Sequence, residues 1–181
     1  MALVCLVIGV LGCETKPSAP QRGDASWPES FGFGRVATPD EIALLDTDVS
    51  PSGRGLPPGS GSFSEGKSLY AEKCSRCHGP NGFEGPYNKL VHHSSGKDEK
   101  TIGNYWPHAT TVFDYINRTM PYDAPGSLTP DEVYSITLFL LAKNNLVDST
   151  IILDASNLAK VHMPAKNKYV ADDREETSAV R

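Results

Sequence analysis

Five consecutive residues, Cys74-Ser75-Arg76-Cys77-His78, constrain this chain more than any other feature. A C-x-x-C-H run is the attachment site for a c-type haem. Two thiols at that spacing can add to the two vinyl groups of one porphyrin, and the adjacent imidazole falls beneath the iron as its proximal ligand. The thiol pair alone also fits a redox dithiol or half a zinc site. A dithiol of that kind belongs in a βαβ context that is absent here, and zinc needs a second Cys/His pair. One covalently bound haem c is the expected cofactor, held by Cys74 and Cys77 with His78 on the iron.

At 181 residues the chain has room for one domain with appendages. Its net charge of −5, before any haem propionates are added, argues against nucleic acid. The same charge is compatible with a partner that presents a basic patch around its own redox centre. The remaining cysteines need no disulfide: Cys5 lies in an apolar leader and Cys13 closes it. Residues 2–12 are apolar throughout but too short to span a bilayer. They suit the core of a secretory signal, although no Lys or Arg precedes the run. Val10-Leu11-Gly12-Cys13 looks like a lipobox, which implies cleavage before Cys13 and lipid attachment to it. Because c-type haem is normally attached outside the cytoplasm, the expected location is the periplasmic side of a bacterial envelope, lipid-anchored to a membrane.

Beyond the signal (1–12), residues 13–30 read as a polar, Pro-containing tether. Residues 31–61 read as an N-terminal arm, with a short helix starting at Thr38-Pro39-Asp40-Glu41 and turns at Pro-Ser-Gly and Leu-Pro-Pro-Gly. The haem domain is expected over 62–145. Ser64 can cap a helix that runs through Gly66, Leu69 and Tyr70 into the haem cysteines. A third helix spans Thr111 to Arg118 and ends just before Met120. The last opens with Thr129-Pro130-Asp131-Glu132 and continues through Val133, Ile136, Phe139 and Leu140 to Asn144-Asn145. Gly66 and Tyr70 share a helical face, and a mid-helix glycine costs stability unless something packs closely there. Crossing of the first and last helices, glycine against aromatic, is the packing of class I cytochromes c. The fold expected is all-α, three to four helices around one haem, with extended arms at both ends. Residues 146–170 form the C-terminal arm, and the charged tail 171–181 is expected to be disordered.

His78 needs an acceptor on its other ring nitrogen to fix the tautomer. Gly85-Pro86 resembles the Gly-Pro of class I cytochromes, where the proline carbonyl has that role. Candidates for the distal ligand are Met120, Met163, His92, His93, His108 and His162. Met120 follows a helix and lies between the haem motif and the last helix, so it is the expected ligand; a thioether there raises the potential. Met163 lies beyond the last helix and reads as a packing residue. Leu90, Tyr115 and Ile116, with Phe113, are expected to form apolar haem wall. Trp106 is either a propionate-side donor or a core aromatic.

Several further segments carry a more specific resemblance: Ala37 to Ile42 with Asp46-Thr47-Asp48, Gly55 to Gly61, Thr101-Ile102-Gly103-Asn104-Tyr105-Trp106-Pro107, Met120 to Leu128, Leu153-Asp154-Ala155 and Met163-Pro164. Together they resemble the cytochrome c subunits of sulfite dehydrogenase and of the sulfur dehydrogenase in the thiosulfate-oxidising multienzyme system. The resemblance runs from about residue 33 to 167. It implies electrons taken from a molybdenum-cofactor subunit that oxidises a sulfur compound, with Cys74, Cys77, His78 and Met120 in the attachment and axial positions. The chain has one haem motif where the sulfur dehydrogenase cytochrome typically has two, which favours the sulfite dehydrogenase type. His92-His93 replaces what is often a small-residue pair, and a lipobox is not a general family trait.

The function expected is single-electron transfer from such a dehydrogenase to a cytochrome or terminal oxidase, with no catalysis by the isolated chain. A stand-alone tethered shuttle to a terminal oxidase is an alternative, and it requires the 31–61 arm to fold back on its own domain. A haem peroxidase or ligand sensor requires an open distal site. A purely structural lipoprotein is hard to reconcile with the haem motif.

Overall fold

The computed structural model describes residues 31–93 and 99–170. The expected signal, Cys13 with its lipobox, the tether through residue 30 and the tail 171–181 lie outside the described residues. The chain divides after Ala37 into two units. In the first, residues 31–37 are irregular, and the Phe31 and Phe33 rings stack with centroids 6.4 Å apart. Everything from Thr38 onward belongs to the second unit, which is helical with few strands.

That unit contains six helices among its described residues: α1 (Pro39–Leu45), α2 (Phe63–Lys73), α3 (Ser75–His78), α4 (Ile102–Tyr105), α5 (Ala109–Thr119) and α6 (Pro130–Lys143). Two short strands, β1 (Ser60–Gly61) and β2 (Leu153–Asp154), pair antiparallel, Ser60 opposite Asp154 and Gly61 opposite Leu153. Turns of 3₁₀ helix follow at Leu158–Lys160 and Pro164–Lys168.

Helix α6 is the axle. Its start is a full capping box: the Thr129 hydroxyl accepts from Glu132 N, and the Glu132 carboxylate accepts from Thr129 N at 2.8 Å. Its end is a Schellman motif, with Asn145 at φ 57°, Leu146 N donating to Leu141 O at 3.0 Å and Asn145 N to Ala142 O at 2.9 Å. From Val133 to Leu141 every residue is buried. A helix apolar all round has to be covered on every side. Here α2, α5, β1 and β2 supply the cover.

The closest cover is α2. A Cβ on Gly66 would collide with the Ser135 carbonyl and lie 2.9 Å from Phe139 Cβ, so only glycine lets the two backbones approach. Around that point Phe139 meets Tyr70 at 5.0 Å and Phe63 at 5.4 Å between ring centroids. The glycine-against-aromatic crossing expected from the sequence is therefore present. The cap of α2 differs from the expectation: the Ser62 hydroxyl, not that of Ser64, accepts from Glu65 N, at 3.3 Å. Packing of Phe63 on Phe139 draws Phe63 into the helix, which moves the cap back to Ser62.

The arms are not loose. Val49 is buried and its N–H donates to Asp114 Oδ1 at 2.9 Å; Asp114 also takes Arg118 Nε at 2.9 Å. The Tyr134 hydroxyl donates to Pro57 O at 2.9 Å, and Ser60 N to Asp131 Oδ1 at 2.7 Å. On the C-terminal side Leu153, Leu158, Met163 and Ala165 are all buried. In contrast, α1 is capped by Thr38 and Glu41 yet buries no residue.

Replacing Gly66 with Ala is expected to destabilise the haem-loaded protein by about 2 kcal/mol or more, because forced separation of α2 from α6 outweighs alanine's better helix propensity. Urea unfolding of wild type and variant checks this; a stabilised variant would refute the close-approach account.

Candidate haem site

Cys74 follows the last residue of α2, and Cys77 and His78 lie on α3, a single turn. The junction is held from two sides. Cys74 N donates to Tyr70 O at 3.0 Å, and the buried Tyr70 hydroxyl donates to Gly79 O at 2.9 Å. Neither cysteine is paired in a disulfide, and both are partly buried. Burial pushes the Cys74 thiol up to about 11, with Lys73 opposing and Cys77 adding to the effect. A site that keeps sulfur uncharged suits a neutral thioether and disfavours a thiolate-bound metal. Among the described residues no group of three or more His, Cys, Asp or Glu side chains gathers as a metal site.

His78 is half-buried, and its Nδ1 lies 2.9 Å from the carbonyl oxygen of Asn88. A donated proton there leaves Nε2 with a lone pair for a metal. The acceptor is thus Asn88 and not Pro86, which corrects the expectation from Gly85-Pro86. The reason is the path of the loop. Gly85 N donates to His78 O at 3.3 Å and Tyr87 N to Cys77 O at 3.4 Å, which lays residues 85–87 along the motif backbone. Pro86 sits between those two bonds, and the first carbonyl bonded to the ring comes two residues later. A Cβ at Gly85 would strike the Cys77 carbonyl, so glycine permits this contact.

Glu84 shapes the same loop. Its carboxylate accepts from Asn81 N at 2.9 Å, Asn81 Nδ2 at 2.6 Å and Phe83 N at 3.4 Å. Desolvation works against its charge, but the bonds from Asn81 and the backbone outweigh it and hold the carboxyl at about 2. Sequence reasoning missed both Asn88 and Glu84; an acidic residue three positions after an Asn in a Gly-rich turn was the only signal.

Some of the residues expected to hold or wall the cofactor, and Phe83 beside them, share one property. Cys74, Phe83, Leu90, Trp106 and Met120 each pack on the core yet remain only partly buried. Leu90 is fixed through its backbone: its N–H donates to Gly82 O at 2.8 Å, and its carbonyl accepts from Ile102 N at 3.2 Å and Asn144 Nδ2 at 3.0 Å. Trp106 meets Tyr115 edge-on at 5.5 Å. On α5, Ile116 is buried while Tyr115 is exposed. Phe113 is completely buried against Tyr134, ring centroids 4.6 Å apart, as a core aromatic.

Met120 caps the C-terminus of α5, its N–H on Ile116 O at 3.1 Å, and is followed by a cis peptide to Pro121. Met163, 2% exposed, belongs to the core cluster. His92 and His93 are exposed, and His93 stacks on Phe83 at 4.3 Å. His108 and His162 sit at a separate cavity with Met163. The thioether on the partly open Met120, the two partly buried cysteine sulfurs and an imidazole held by one nitrogen fit a covalently attached porphyrin with its iron.

The cytochrome c family model matches residues 63–143. No curated protein matches the chain. Among solved structures, it is similar to a chain in the crystal structure of the sulfane dehydrogenase SoxCD from Paracoccus pantotrophus. The two are 40% identical, the match covers 83% of this chain and 76% of the other, and the TM-score is 0.71. A match over that share of the chain extends beyond residues 63–143, so flanking segments are shared as well.

Glu84 has a folded-state value below its unfolded one, so it stabilises the fold above about pH 4.5, and that contribution is lost as pH falls toward 2. Glu84→Gln should remove this part of the acid dependence. Thermal melts of wild type and variant between pH 5 and 2 test it: a variant that keeps the same acid sensitivity would show that Glu84 does not set it.

Proposed function

The chain belongs to the cytochrome c family, and we propose that it accepts electrons from a molybdenum-cofactor dehydrogenase that oxidises a reduced sulfur compound. It is an all-α cytochrome c with covalently bound haem c, and its role is electron transfer. The bound haem supplies a one-electron iron couple. In our reading Cys74 and Cys77 would hold the porphyrin edge, and a proton kept on His78 Nδ1 against Asn88 O would leave Nε2 free to bind the iron. Met120 would supply the second iron ligand, and a thioether there would raise the potential. Pro86, Leu90, Trp106, Tyr115 and Ile116 form the wall that keeps water from the group. With His78 and Met120 both given to the iron, no coordination position would be left open, which would suit charge transfer and not turnover. A peroxidase or ligand sensor would require Met120 to leave.

The observation that carries the choice of donor is the 40% identity to a sulfane dehydrogenase chain over 83% of this one. That likeness favours the sulfur dehydrogenase type over the sulfite dehydrogenase type that the single haem motif suggests. The arms divide between the two redox readings. Residues 49–61 fold back on their own unit, as a stand-alone shuttle requires. Helix α1 instead leaves Ile42, Leu44 and Leu45 exposed, a small apolar surface available to a partner. The acceptor we propose is a cytochrome or terminal oxidase. The location is the periplasmic side of the envelope, with the anchor at Cys13. No helix among the described residues is long and apolar enough to cross a membrane.

Met120→Ala is expected to abolish the thioether-to-iron absorption band of the oxidised protein and to lower its potential, while Met163→Leu keeps the band. The reverse pattern would transfer the axial role to Met163. Carbon monoxide binding to the reduced wild type would instead favour the open-site reading. For the donor, the chain should co-purify with a molybdenum subunit, and its haem should be reduced when a reduced sulfur compound is added. A complex that leaves the haem oxidised under those conditions would remove the sulfur dehydrogenase assignment and leave the shuttle.

A further inference from the structure

The chain carries a net −5, but from Leu158 to Val170 its charged residues are all lysines: Lys160, Lys166 and Lys168, with His162 among them. Two of these lysines border a cavity of about 210 Å³, away from the haem motif. Its lining includes Lys160, Lys166, His162 and His108 and no carboxylate. Neither lysine has an ion-pair partner among the described residues. One carboxylate acts on the group, Asp154 on Lys160, and its own acidity is raised chiefly by hydrogen bonds from Ser156.

The cavity wall comes from three separated stretches of chain: Pro51 of the N-terminal arm, the start of α5 at His108–Thr110, and the C-terminal arm around Met163. The stretches are tied where they meet. The Thr110 hydroxyl donates to Pro51 O at 3.4 Å, and Met163 and Ala165 are buried beneath. No side chain caps the start of α5, so its field adds to that of the two lysines. Lysines on the rim of a cavity whose lining holds no carboxylate favour an anion within it.

The geometry points to a binding site for a small tetrahedral dianion of the sulfate or phosphate class, held by Lys160, Lys166, His108 and His162. The bound dianion bridges the C-terminal arm to the N-terminus of α5. By mass action it stabilises the folded chain in proportion to its occupancy. The site is independent of the electron donor: it is assayed on the haem-loaded chain alone, so its failure leaves the donor proposal untouched.

Isothermal titration calorimetry and thermal melts of the full haem-loaded chain test it, with sodium sulfate, phosphate, acetate and chloride at matched ionic strength. Concentrations are kept to low millimolar, below the range where sulfate stabilises proteins in general by exclusion from their surface. Sulfate and phosphate should bind saturably and raise the melting midpoint, whereas chloride and acetate should not. The double variant Lys160→Ala, Lys166→Ala replaces two exposed side chains and should bind sulfate about tenfold more weakly or worse, through loss of two charge-assisted contacts. Lys67→Ala, an exposed change of charge on α2, should bind as wild type does. Sulfate behaving like chloride or acetate overturns the proposal. So does a double variant with undiminished affinity, or one weakened no more than Lys67→Ala.

Discussion

The close approach of two helix backbones at Gly66 is the contact on which the rest of the molecule depends. Helix α6 has no polar face to leave in water, since every residue from Val133 to Leu141 is buried. It is therefore stable only inside a shell of other segments. Helix α2 forms the tightest part of that shell because position 66 has no Cβ to hold it away from Ser135. Phe63, Tyr70 and Phe139 then fill the space on either side of the crossing. Since the motif cysteines begin where α2 ends, the same contact sets where the cofactor attaches.

Downstream of the motif, rigidity comes from hydrogen bonds more than from packing. The loop from Gly79 to Val91 is drawn back onto α3 by bonds from Gly85 and Tyr87 to the His78 and Cys77 carbonyls. Glu84 closes its inner turn, and Asn144 of the α6 C-terminus reaches across to Leu90 O. A ligand imidazole whose far nitrogen is held by Asn88 does not need to rotate when the charge on a bound metal changes. That is the mechanical requirement for passing single electrons quickly: little has to move.

The attachment motif and the helical fold class were legible in the residues. Thr129-Pro130-Asp131-Glu132 announces α6 because capping is local chemistry, decided within four residues. Gly66 announces a close crossing because a mid-helix glycine is costly without one. Other features had no local signal. Strands of two residues, such as β1 and β2, are too short to show alternation, and they exist only because their partners are brought together from opposite ends of the chain. Helix α4, a single turn, falls below the length at which periodicity can be read. The cap of α2 moved from Ser64 to Ser62 because an aromatic contact, not the capping rule, decided where the helix begins.

Sequence alone determined the family chemistry: a C-x-x-C-H motif for covalent haem, and helices to surround it. Those properties follow from the order of neighbouring atoms along the backbone. Tertiary structure alone decided which carbonyl lies against the His78 ring and which basic side chains share a cavity. Asn88 stands beside His78 only after the loop has closed, and Lys160, His162 and Lys166 line one cavity with His108 only because the C-terminal arm folds in. Each of these is a distance between residues far apart in the chain, and no local pattern encodes such a distance.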